Sequence, residues 1–152
     1  MPHHAVRLNP LPNWQRRTGY VVLLVLLLSG LTWLAVHFLH WPAASNAEME
    51  GLPSPWEAGL MRVHGAAAMV ALFVFGALTS THVIRGWRMK RRLPSGVVLV
   101  TLLALMVLTS YALYYLIGED RRDALGLAHA AVGVGVVVAL LWHRRRRPHP
   151  PR

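Results

Sequence analysis

The sequence predicts an all-α protein: a transmembrane four-helix bundle of up-down-up-down topology. Three observations point there. More than half of the 152 residues are hydrophobic, more apolar surface than a small domain can cover with its own polar residues. The apolar residues fall into four continuous runs, at Gly19–Leu39, Ala58–His82, Val97–Ile117 and Ala124–Trp142. Each run is near the ~20 residues that cross a bilayer as helix, whereas a membrane barrel would need ~10-residue alternating strands.

The connections between the runs are short, so sequential helices should be antiparallel. "LPSPWE" before the second run and "RRLPSG" before the third supply the Pro and Gly expected there. The first run resembles a secretory signal, with "PAASNA" as a small-residue cleavage site. It is longer than the ~7–15 apolar residues of such a signal and reads as a retained helix. Organisation follows as a tail over 1–18, a four-helix domain over 19–143 and a basic tail over 144–152.

Charge sets the direction. Thirteen of the 16 basic residues lie in the N-terminal tail, in "RGWRMKRRLP" and in the C-terminal tail. The other connections carry Glu48, Glu50, Glu57, Glu119, Asp120 and Asp123. Under the positive-inside rule both termini face the cytoplasm, placing a multi-pass protein in the bacterial inner membrane. The net charge of +10 is thereby a topology signal, its partner membrane lipid and not nucleic acid. The absence of cysteine removes disulfides, thiolate metal sites, iron–sulfur clusters and thioether-linked haem.

Ionisable residues inside a span need a reason. His64 and His82 stand on the second helix, His129 and His143 on the fourth, and these helices run in the same direction. His64 and His129 enter at similar depth; His82 and His143 close their helices at the cytoplasmic boundary. At ~100° per residue the 18-residue step from His64 to His82 returns to the same face, and the 14-residue step between the others misses by ~40°. Axially the two steps are ~27 Å and ~21 Å, a mismatch that tilt or a helix-end shift must absorb.

Two imidazoles at each level, with no carboxylate or thiolate in any span, fall short of a zinc site. A planar haem needs only axial ligands, so an outer haem on His64 and His129 and an inner one on His82 and His143 match the ligand count. Gly30, Gly65, Gly76, Gly133 and Gly135 would make room for it, or allow close helix packing. Arg62, Arg85 and Arg144 adjoin the histidines and are candidates to pair with haem propionates, although Arg85 and Arg144 equally suit the positive-inside blocks. Tyr111, Tyr114 and Tyr115 suit an interfacial belt, or a haem edge or quinone. His37 could be a substitute ligand, a quinone contact or a packed polar residue; His40, His3, His4 and His149 read as boundary or tail residues.

The stretches "HGAAAMVALFVFGALTSTH", "LTSYALYYLIGE" and "HAAVGVGVVVALLWH" resemble those of small bacterial di-haem cytochromes b of the membrane. The resemblance covers about Met61 to His143. The spacing of 14 in the last stretch matches the respiratory cytochrome b pattern, while the spacing of 18 in the first departs from it. The resemblance implies two haem b groups and electron transfer between a quinone pool and a redox partner protein, as a subunit of a larger respiratory or photosynthetic-type complex. No groups for bond-making chemistry are visible, so the chain reads as an electron-transfer subunit and not a self-contained enzyme. The main rival is a haem-free membrane anchor or assembly subunit. A transporter using histidine relays is disfavoured by the lack of Asp or Glu within the spans.

Overall fold

Continuous apolar runs without internal proline satisfy their backbone in lipid as helices. The computed structural model describes residues 12–39, 54–89 and 93–145. Helix α1 is Asn13–Leu39, α2 is Pro55–Leu78, α3 is Leu93–Tyr115 and α4 is Glu119–Arg145. Beyond α2 the chain continues as a π-helical turn, Thr79–Val83, and a last α-helical turn, Ile84–Arg88. All four helical units are long and apolar enough to cross a membrane, the make-up of a multi-pass membrane protein. Large side chains such as Phe73 and Leu108 are exposed, as expected where lipid replaces a protein core. His3, His4, His40, His149, Glu48, Glu50 and the Lys90–Arg92 stretch lie outside the described residues.

The helix ends depart from the apolar runs, for local reasons. Arg16 and Arg17, expected in a tail, belong to the first turns of α1, and Arg144 to the last turn of α4. Helical hydrogen bonding propagates past the hydrocarbon edge, because charged side chains at a helix end can reach water. Helix α2 starts at a capping box, in which the Ser54 side chain accepts from the Trp56 N–H and the Ser54 N–H donates to Glu57. Helix α3 stops two residues short of Ile117: the N–H groups of Leu116 and Ile117 both reach the Ala112 carbonyl, and Gly118 then opens the way to α4. His82 does not close its helix, because the π-helical turn carries the chain on to Arg88.

Helix α1 packs along α2, α3 along α4, and α1 also meets α4. The buried apolar residues are few and small: Val22 and Val36 on α1, Val74 on α2, Val136 and Ala139 on α4. Polar residues are buried among them, notably Ser29 and Ser95. Both turn out to serve histidines.

Candidate functional site

The four span histidines meet as two pairs. The ring centres of His64 and His129 are 6.4 Å apart with their planes at 68°, and those of His82 and His143 are 6.2 Å apart at 81°. An imidazole nitrogen lies about 2.0 Å from a metal it ligates and about 1.1 Å from its own ring centre, so two rings on opposite sides of one metal stand roughly 6.3 Å apart. Both pairs have that separation. No group of three or more His, Cys, Asp or Glu side chains suited to a metal ion occurs among the described residues. Two imidazoles therefore suit a group that brings its other ligands with it.

In the outer pair each ring meets a hydroxyl through Nδ1. Ser29 Oγ donates to the Val25 carbonyl at 2.7 Å and lies 2.9 Å from His64 Nδ1. Ser29 Oγ thus stands within hydrogen-bond reach of both the Val25 carbonyl and the His64 ring. Thr109 repeats the arrangement from α3: its Oγ1 donates to the Leu105 carbonyl at 2.7 Å and lies 2.7 Å from His129 Nδ1. With Nδ1 beside a hydroxyl in each outer imidazole, Nε2 is the nitrogen that would serve a ligand. Both rings are half-buried.

The inner pair is built differently. Ser95, fully buried near the start of α3, lies 3.0 Å from His143 Nδ1. His82 is exposed and sits on the π-helical turn. Three consecutive hydroxyls precede it, and each turns back onto its own helix: Thr79 to Phe75, Ser80 to Ala77 and Thr81 to Ala77. Such back-bonding bends helices, and π-helical turns gather where function asks for them. An i→i+5 turn packs more residues into each turn than an α-helix, so it shortens the step from His64 to His82. That is the direction the axial mismatch requires.

The glycines divide. A Cβ at Gly30 would stand 3.3 Å from His64 Cε1, so the missing side chain lets α1 approach the outer ring closely. Gly133 and Gly135 lie against Met106 and Leu102 of α3, which is helix packing. Gly65 and Gly76 have nothing within 4 Å of where a Cβ would stand.

Arg62 and Arg85 are exposed, one near each pair in sequence. Arg144 lies with its guanidinium 5.0 Å from the centre of the Tyr20 ring on α1. His37 is a packed polar residue: Nδ1 is 3.1 Å from Glu57, Nε2 is 3.4 Å from Asp123, and the ring stacks on Trp33 at 4.6 Å. With both ring nitrogens beside carboxylates, it ties α1 to the starts of α2 and α4. Tyr111, Tyr114 and Tyr115 are exposed and contact one another.

Comparison with protein-family models, with curated proteins and with solved structures finds no match for the chain.

Proposed function

We propose that the chain is a b-type cytochrome of the bacterial inner membrane, with one haem between His64 and His129 and a second between His82 and His143. The observation that carries this reading is the pairing of the four span histidines at 6.4 Å and 6.2 Å, the separation of two imidazoles on one metal. The Nδ1 partners support it, since a ligating imidazole needs its second nitrogen held. Bound haem would supply one-electron chemistry at two depths in the membrane. The protein's part is to orient the imidazoles through Ser29, Thr109 and Ser95, and to exclude water with α1–α4.

The same reading places the four helices in an up-down-up-down bundle, with the haems in its interior and both termini in the cytoplasm. Contacts at the two ends support that arrangement: His37 with Glu57 and Asp123 at one, Arg144 with Tyr20 and Ser95 with His143 at the other. Arg62 and Arg85, near the outer and inner pairs in sequence, would meet the propionates as charge-assisted pairs. The chain would work as an electron-transfer subunit between a quinone pool and a redox partner protein. Glu119 and Asp120, exposed at the outer end of α4, would offer that partner an acidic docking face.

A reduced-minus-oxidised absorption spectrum of the purified chain tests the proposal. A b-type difference band that weakens on His129→Ala replacement is expected. A colourless, folded protein would leave the haem-free anchor as the better account.

A further inference from the structure

The basic end of the molecule holds a recess that the histidine pairs do not explain. Arg16, Arg17 and Tyr20 of α1 line it together with Arg144 of α4. Two helices thus bring three guanidinium groups to one place. Arg144 is laid across the Tyr20 ring at 5.0 Å, a contact that orders a long side chain and fixes the direction of its fork. Arg16 is steadied by Asn13 Oδ1 at 3.2 Å. Among the described residues no carboxylate pairs with any of the three arginines. Like charges gathered without a counter-charge repel one another, and such an arrangement favours an anion brought from outside.

The position says which anion. Tyr20 and Arg16 lie where α1 passes from charged residues into its apolar run, the depth of lipid headgroups. Basic pockets between spanning helices on the positively charged side suit anionic headgroups, and planar guanidinium forks match phosphate oxygens. Exposed Trp14, on the adjoining turn, is the amphipathic type of side chain that settles at the same interface.

We propose that Arg16, Arg17, Tyr20 and Arg144 form a binding site for the phosphate of an anionic phospholipid. Arg144 and Arg16 grip the phosphate oxygens, Tyr20 holds Arg144 in place, and the acyl chains run down the groove between α1 and α4. The lipid joins two helices that otherwise share few contacts. This assignment moves Arg144 from the inner propionate to the lipid and does not depend on whether haem is bound.

The test is copurification of phospholipid with the full chain, quantified by mass spectrometry, followed by thermal unfolding with added phosphatidylglycerol or phosphatidylcholine. The unaltered protein should retain anionic lipid and be stabilised by phosphatidylglycerol over phosphatidylcholine. R16Q/R144Q should lose most of the retained lipid, whereas R88Q/R145Q, with the same change of charge at the same end, should keep it. Equal loss from both double variants would reduce the effect to bulk attraction and overturn the site. Absence of any phosphatidylglycerol preference in the unaltered protein would overturn it without a variant. Displacement of the lipid by excess inorganic phosphate would make the site one for free phosphate. Loss of haem from R16Q/R144Q with lipid retained would return Arg144 to the propionate.

Discussion

The two histidine pairs share a separation but are anchored in different ways. At the outer pair, regular α-helix on α2 and α4 carries half-buried rings, and hydroxyls from α1 and α3 hold them from either side. Each of those hydroxyls also bonds a carbonyl of its own helix. At the inner pair one ring is held by a buried serine, while the other is exposed on a π-helical turn. The outer site sits on regular helix, the inner one partly on a local distortion. The two sites should therefore respond differently to the same kind of change.

The largest effect is expected at the outer pair. His129→Ala should remove the outer haem and lower the unfolding temperature, because the ring it deletes sits where α3 and α4 are pinned by Thr109. Haem content and thermal unfolding, measured together, check this; an unchanged haem content would remove His129 from the ligand set. His82→Ala should cost the inner haem alone. Its outer spectral component should stay near that of the unaltered protein.

Smaller effects sharpen the contrast. Thr109→Val and Ser29→Ala each remove the hydroxyl beside an Nδ1, and the loss of such a supporting partner typically weakens a metal site roughly 10–100-fold. Haem transfer to an acceptor protein would measure it. Ser95→Ala should act on the inner component only. Replacing all three hydroxyls before His82, as T79V/S80A/T81V, removes the back-bonds that accompany the π-helical turn. Inner haem occupancy should fall while the outer component is untouched. Gly30→Ala should be milder still: its Cβ, 3.3 Å from His64 Cε1, requires a shift of a few tenths of an ångström and should broaden or displace the outer band slightly.

The contrast also separates what could be read from sequence from what could not. The four spans follow from apolar length, and the histidine pairs from depth and helical angle, because both obey a regular repeat. A ligating imidazole calls for a carbonyl or a Ser/Thr hydroxyl at its second nitrogen, but that Ser29, Ser95 and Thr109 would be those hydroxyls was not legible. A serine or threonine in a spanning helix ordinarily bonds its own backbone, and nothing in a single sequence gives the register between helices. Ser29 and Thr109 do both at once. The π-helical turn escaped because the angular argument assumes one uniform helix, although "TST" directly before His82 was a signal of back-bonding. His37 shows the same limit: its carboxylate partners, Glu57 and Asp123, are 20 and 86 positions away in the chain.

The most direct measurement is haem counted per polypeptide in the purified full-length protein, set beside the reduced-minus-oxidised spectrum. Two b-type haems per chain, falling to one in His82→Ala and to one in His129→Ala, is the predicted result. A folded protein that carries no haem, with both histidine variants indistinguishable from it, would contradict the account.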